Sequence, residues 1–316
     1  MKWNKKGKIF DPTQHILPNN CKEFAQSPQA LVFDDFVRIY FSTRKKENSG
    51  KFLSHIAFVD IDKKFKNIIS ISSAPVIKLG EPGTFDEHGI FPINPLRHHG
   101  KIMAYHCGWS RRVSVSVETS VGLAYSEDNG LTFNKIGNGP VLTSSLHEPF
   151  LVGDGFVCVY ENIFHMWYIY GTKWIDNTEE ETARVYKIAH ATSADGIHWV
   201  KEGKQIIENI LNEDECQALP TVIKHGNRYH MYFCYREAIG FRKNKDRGYR
   251  LGYAYSEDLV NWVRDDANAG IGFSAEGWDS DMQCYPHIFK CDDKICMLYN
   301  GNEFGRYGFG LAVLEE

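Results

Sequence analysis

A chain of 316 residues that is 43% hydrophobic and 14% aromatic holds enough apolar surface for one large core, and no linker divides it, so 1–316 is read as a single domain. A formal charge of −4 spread along the sequence argues against a nucleic-acid partner, and the absence of any long apolar run argues against a membrane partner. The eight cysteines form no CxxC pair and no framework of the secreted kind, so they read as reduced core thiols, and the basic start MKWNKKGKIF has no apolar stretch behind it; both point to the cytoplasm.

The first expected strand, WNKKGKIF, matches WVKEGKQI in mid-chain, with Trp3, Gly7, Lys8 and Phe10 at the offsets of Trp199, Gly203, Lys204 and Ile206. A two-part unit then returns five times. Its first part is a strand anchored by a proline, at Pro28, Pro92, Pro149, Pro220 and Pro286, followed by a hairpin and an aromatic strand. A hydrophobic residue stands eleven positions after the proline in four copies (Ile39, Met103, Met231, Met297), and a longer hairpin in the third copy is expected to delay it to Met166. Its second part is a small-residue strand centred on Ala57, Ala124, Ala191, Ala254 or Ala312. Runs such as VRIYFST, FHMWYIYG and YHMYFCY alternate β-branched and aromatic residues between Gly and Asx turns.

This spacing is too long for a helical solenoid and suits four-stranded antiparallel blades, so the expected fold is all-β: a five-bladed β-propeller. Only Leu314, Glu315 and Glu316 follow the last alanine strand, which leaves no room for a fourth strand there. The N-terminal strand is expected to complete the last blade and close the ring.

In a propeller the first strand of each blade lies nearest the axis, and residues leading into it share one face around the channel mouth. Those segments read FDEHGIFP, SLHEPF, NEDECQALP and WDSDMQCYP, and so bring carboxylates to the centre in four of five blades. Aligned on the proline, Glu87, Glu215 and Asp281 share one position, and Gln217 and Gln283 share another; Glu148 directly precedes Pro149, and Asp86, His88, Glu213, Asp214 and Asp279 flank them. Gathered carboxylates repel one another, each pKa unit of displacement corresponding to about 1.4 kcal/mol. Two such groups driven to different protonation states are what glycosidic cleavage needs.

Proline-anchored inner strands with preceding carboxylates, followed by strands of the IGxAxSxDGxxW kind, resemble the five-bladed propeller glycosidases: glycoside hydrolase families 43, 62, 32 and 68, with the related family 130 phosphorylases. HEPFLV at Glu148 is similar to the acid–proline segments of family 43, and DEC at Asp214 to Cys216 to the Glu-Cys acid motif of family 32. The resemblance implies a glycosidase acting on a carbohydrate. It also implies an aspartate on the first blade, where this chain has FAQSPQAL with Gln26 near the place and Glu23 three residues earlier. The catalytic set is therefore expected on other blades: Glu215 as general acid, Asp281 or Glu87 as base or nucleophile, and Glu148 as a participant or a strut beneath the pocket.

Residues leaving the second strands would complete the cup: Arg44, His106, Trp109, Arg111, Arg112, Lys173, Trp174, Arg236, Asn300 and Asn302. Trp109 offers a stacking platform for a sugar, and the arginines suit its polar or anionic groups. With these, Asp86, His88, Gln217 and Gln283 are expected to bind substrate. The insertion REAIGFRKNKDRGYR is rich in basic residues and reads either as a solvated loop or as a lip that draws in an anionic substrate such as a uronate, sugar phosphate or nucleotide sugar. His88, His106 and His147 lack metal-ligand spacing, so neither metal nor cofactor is expected. SEDNGLTF fits the Asp-box of sialidases, a turn device on a blade's outer edge that carries no catalysis. The leading expectation is a glycoside hydrolase. A phosphorylase whose phosphate is held by Arg112, Lys173 and Arg236, and a non-catalytic sugar-binding propeller, are the alternatives.

Overall fold

The computed structural model describes residues 1–176 and 182–315, which form twenty strands, with short 3-10 turns and no α-helix among the described residues. After β1 (Trp3–Phe10) come β2 (Glu23–Val32), β3 (Phe36–Lys46), β4 (Phe52–Asp62) and β5 (Ile68–Ile71), then β6 (Gly89–His98), β7 (Lys101–Arg111), β8 (Val117–Ser126) and β9 (Asn134–Lys135). The third group is β10 (Val152–Tyr160), β11 (Ile163–Ile175), β12 (Ala183–Ser193) and β13 (Val200–Lys201), and the fourth is β14 (Cys216–His225), β15 (Arg228–Arg236), β16 (Arg250–Ser256) and β17 (Trp262–Arg264). The last three strands are β18 (Cys284–Cys291), β19 (Lys294–Asn300) and β20 (Phe309–Leu314).

Each group of four is an antiparallel meander, and the first two are joined into one mixed sheet by a single parallel pair, Ser54 with Gly89. β1 pairs antiparallel with β20, from Trp3 opposite Leu314 to Phe10 opposite Phe309, so the N-terminal strand supplies the fourth strand of the last sheet as expected. Trp3 fixes this strand further by donating from Nε1 to the Tyr232 hydroxyl at 2.8 Å. The first strands face one another: β2 touches β6 and β18, β10 touches β6 and β14, and β14 touches β18.

Tight hairpins turn the chain back within each sheet. His99 and Gly100 between β6 and β7, and Glu161 and Asn162 between β10 and β11, all have positive φ, which matches the right-handed twist of the flanking strands. In the last three sheets a methionine lies opposite the central alanine: Met166 with Ala191, Met231 with Ala254, Met297 with Ala312. All six are buried, a long flexible side chain beside a small one filling the space between sheets.

Every first strand carries a register break where two residues bulge out, Ser27–Pro28, Phe91–Pro92, Asp154–Gly155, Leu219–Pro220 and Tyr285–Pro286, and β2 has a second break between Glu23 and Gln26. Four of the leading residues, Ser27, Asp154, Leu219 and Tyr285, have positive φ, and Phe91–Pro92 is a cis peptide. The anchor of the third unit is therefore Gly155 and not Pro149, and Met166 stands eleven residues after it like its counterparts. The longer hairpin belongs to the second unit: there Asn94, two residues past the bulge, faces Tyr105, whereas Val157, Val222 and Ile288 face Met166, Met231 and Met297.

Candidate functional site at the bulges of the first strands

The carboxylates leading into the first strands separate into two kinds. Asp86, Glu148, Glu215 and Asp279 are all but fully enclosed, and each is met by a cation from the fourth strand of its own sheet: Lys135 on β9, Lys201 on β13, Arg264 on β17 and Lys5 on β1. Glu215 accepts from Arg264 at 2.6 Å, from Gln217 at 2.9 Å, and from the amides of Ile210 and Leu211 at 2.9 and 3.0 Å. Burial pushes its carboxyl up, but these hydrogen bonds and the Arg264 charge outweigh it and hold the group below the usual range. The same balance holds Asp279 low through Lys5, Ser274 and Gln283, and Asp86 low through His106 and Lys135. Glu148 accepts from the Tyr168 hydroxyl at 2.6 Å.

These contacts revise the alignment made on the prolines. The equivalent carboxylates are Asp86, Glu148, Glu215 and Asp279, because the loops into the bulges differ by one or two residues in length. Glu215, expected as general acid, is locked inside its sheet and ionised, so it has no proton to give. Gln217 and Gln283 spend their amides on Glu215 and Asp279, and His106 lies fully buried against Asp86 at 3.4 Å. Asn300 also faces inward: it accepts from the Ser27 amide at 2.8 Å and donates to the carbonyls of Ala25 and Gly308, fixing the first bulge. All four side chains are buried and engaged within the protein.

Glu87 and Asp281 lie outside the sheets and apart from Glu215's enclosure. Glu87 accepts from the Gly83 amide at 2.8 Å and stands 3.3 Å from His88, whose ring is stacked on Trp109 at 6.0 Å, with the Arg111 guanidinium over the same indole at 5.8 Å. Glu87, His88 and Trp109 are thus brought together, half-buried, as an acid beside an aromatic platform. Asp281 is half exposed, its amide capped by Asn302 and its carboxylate 3.6 Å from Lys245. Arg112 is paired with Glu118 and Lys173 with Asp214, so both cations are already matched. Lys173 and Asp214 line a depression of about 450 Å3 together with Asn212, Glu237, Ala238 and Arg247.

One enclosed carboxylate lies at a bulge itself and is not among the expected site residues. Asp154 leads the third bulge at φ 52° and is 8% exposed. Burial pushes its carboxyl up to about 7, restrained by the Arg184 charge and an amide hydrogen bond from Leu219, the leading residue of the next bulge. The thiols of Cys107 and Cys234, both driven up by their own burial, lie within its electrostatic reach. A carboxyl that is half protonated near neutrality can donate a proton and take it back. The signal was present in VGDG: an acid between two glycines inside a first strand, with Gly155 eleven residues before Met166.

Aromatic rings surround the same bulges. Tyr285, which leads the fifth, packs edge-on against Phe91 of the second at 5.3 Å and against Tyr249 at 5.6 Å. The hydroxyls of Tyr249 and Tyr186 meet at 2.6 Å, and Tyr186 accepts from Arg236 at 2.8 Å. Among the described residues no group of three or more His, Cys, Asp and Glu is arranged to hold a metal ion.

No protein-family model matches the chain. It is 32% identical over 315 residues to the uncharacterized proteins Rv1502 and MT1551 of Mycobacterium tuberculosis, with 100% of this chain and 100% of each relative covered. Solved structures with a similar fold include a glycoside hydrolase (15% identity, TM-score 0.75, 99% of this chain and 91% of that one). A thermostable family-43 glycoside hydrolase matches at 13% identity and TM-score 0.65 over 94% and 90% of the two chains, and a member of the GH130 family of mannoside phosphorylases, which contains glycoside hydrolases that target β-1,2 mannosidic linkages in Candida mannan, at 11% and 0.70 over 99% and 94%. The fold is that of the propeller-like glycosidases, the relationship that the motifs suggest.

Proposed function

The chain belongs to the family of the Mycobacterium tuberculosis proteins Rv1502 and MT1551, and for this member we propose a carbohydrate-active enzyme that cleaves a glycosidic bond at the meeting point of the first strands, with Asp154 as general acid. The setting is a single five-bladed propeller spanning 1–316 and closed by β1. Three observations support the ring: the four-stranded groups, the pairing of β1 with β20, and the contacts of β2 with both β6 and β18.

The observation that carries the chemical reading is the Asp154 carboxyl, enclosed, set out of register by a bulge and held near pH 7 on a fold shared with glycosidases. Its proton would pass to the glycosidic oxygen as the bond to the anomeric carbon breaks, so that the leaving group departs as a neutral alcohol. The complementary carboxylate is Glu87 or Asp281. Both remain accessible at the rim, and Glu87 lies beside the Trp109 platform that a sugar face would cover. The reduced state of all eight cysteines is consistent with a cytoplasmic setting, which is part of the proposal.

The phosphorylase alternative loses two of its three anion ligands, since Arg112 and Lys173 are matched by Glu118 and Asp214. Asp154→Asn tested on a panel of aryl glycosides decides the proposal. Turnover should fall by about 10²–10⁴-fold with glycan binding retained. Unchanged turnover in Asp154→Asn removes the assignment, and tight glycan binding by the parent with no product for any substrate of the panel favours a binding module.

A further inference from the structure

Four arginines linked to Tyr186, Tyr249 or Tyr285, directly or through Phe241, stand without a carboxylate partner among the described residues. Arg44 lies near the end of β3, Arg184 is the second residue of β12, Arg236 ends β15, and Arg242 follows in the basic insertion; no ion pair within 4.0 Å joins any of them to a described Asp or Glu, as is also the case for Arg97 and Arg250, whereas Arg38, Arg111, Arg112, Arg228, Arg247, Arg264 and Arg306 are all matched.

Arg236 is the extreme case. It is 3% exposed, its Nη atoms donate to the carbonyls of Glu237 and Ala238 and to Tyr186, and its buried Nε has no partner. The Phe241 ring centroid lies 3.6 Å from this guanidinium and 4.5 Å from that of Arg242. A chain of contacts runs from Arg236 over Tyr249 at 5.2 Å to Tyr285, which lies within electrostatic reach of Arg44. Arg44 rests on Phe24 at 4.4 Å, and burial together with the Arg242 charge lowers its pKa. Glu23, the carboxylate near Arg44, is taken by Arg306 at 2.7 Å.

Enclosed positive charge without a counter-charge is unfavourable in the empty protein and is relieved when an anion arrives. We propose that Arg44, Arg236 and Arg242 form a subsite for an oxyanion, a carboxylate or phosphoryl group, borne on the sugar substrate; the placement rests on the axial catalytic site proposed for Asp154. The insertion 237–249 thus acts as a binding element and not as a solvated loop. Arg236 is the fixed floor, held by three hydrogen bonds, while Arg44 and Arg242 at the half-buried and exposed margins close on the ligand.

Calorimetric titration of the full chain with D-glucuronate, D-glucose and inorganic phosphate tests this. Glucuronate should bind at least about 10-fold more tightly than glucose, with an affinity that falls as salt rises, and Arg44→Gln and Arg242→Gln should each weaken it about 10-fold while glucose binding stays unchanged. Both variants leave Arg236 in place, so each is expected to fold, which the far-ultraviolet dichroism checks. Equal affinities for glucuronate and glucose, or variants that bind glucuronate as the parent does, overturn the proposal. Phosphate that binds more tightly than glucuronate and accelerates cleavage overturns the substrate-borne source in favour of a free co-substrate. In Asp154→Asn, retained glucuronate affinity with full turnover would sink the catalytic reading alone and leave the subsite standing.

Discussion

The Arg264 guanidinium meets the Glu215 carboxylate at 2.6 Å with 4% and 0% of the two side chains exposed, and this pair ties the loop before one sheet's first strand to the same sheet's fourth strand. Lys135 with Asp86, Lys201 with Glu148 and Lys5 with Asp279 repeat the arrangement in three further sheets. Removing one member of such a pair leaves a bare charge in low dielectric, while replacing both by apolar groups of similar volume does not. Four of the carboxylates gathered before the first strands, Asp86, Glu148, Glu215 and Asp279, therefore brace their own sheets.

Arg264→Met should lower the unfolding free energy by about 3–5 kcal/mol, and adding Glu215→Gln in the same chain should recover most of the loss. Urea unfolding of the parent, the two single variants and the double variant measures this as a cycle. Turnover per folded molecule should stay near the parent value in Glu215→Gln; a hundredfold loss there would return Glu215 to the catalytic set.

Asp154 and the brace carboxylates respond to pH with opposite sign. Glu215, Asp86 and Asp279 are held below their ordinary values, so the stability they contribute is present above about pH 4 to 5 and is lost as pH falls through their lowered native values. Asp154 is raised to about 7, so the native state keeps a proton that the unfolded chain has released, and stability declines as pH rises from about 4 to about 7. Asp154→Asn should thus gain on the parent by roughly 2–4 kcal/mol between about pH 4 and about pH 8. Chemical unfolding at those two pH values checks it, and a constant difference would mean that Asp154 titrates normally.

The repeat, the twenty-strand all-β fold and the pairing of β1 with β20 were legible because proline, alanine and alternating aromatics mark each unit locally. The site was less legible, for a physical reason. Proline marks the second bulge residue in four units, but the third uses Gly155, and anchoring that unit on Pro149 hid Asp154 inside what read as an ordinary strand. Whether a carboxylate faces a fourth-strand cation or the rim depends on one or two residues of loop length, and proline alignment cannot resolve that. Glu87, beside the buried Asp86, shows how adjacent acids take opposite fates.

If Gly155 occupies the proline position, proline should fit there. Gly155→Pro keeps the φ of Asp154 compatible with what Ser27, Leu219 and Tyr285 already show before their prolines. The nearest obstacle to an added Cβ is the flexible Met166 sulfur at 3.1 Å. Stability within about 1 kcal/mol of the parent, on either side, is the expected outcome of thermal unfolding. A loss of several kcal/mol would refute the equivalence.

Lys5 joins the ends of the chain as well as bracing a sheet. Its Nζ lies 2.8 Å from Asp279 Oδ2 and 2.8 Å from Ser274 Oγ, and β1 covers the edge that β20 would otherwise leave open. Lys5→Met leaves the buried Asp279 with only neutral partners, Gln283 at 2.9 Å, Tyr299 at 3.1 Å and Ser274, and should cost about 2–4 kcal/mol. Because the contacts sit on one sheet, the loss should appear first as faster amide exchange in β20 and β1, ahead of β10 to β13. Hydrogen exchange read by mass spectrometry resolves the order, and uniform acceleration across all sheets would show instead that the last sheet does not open by itself.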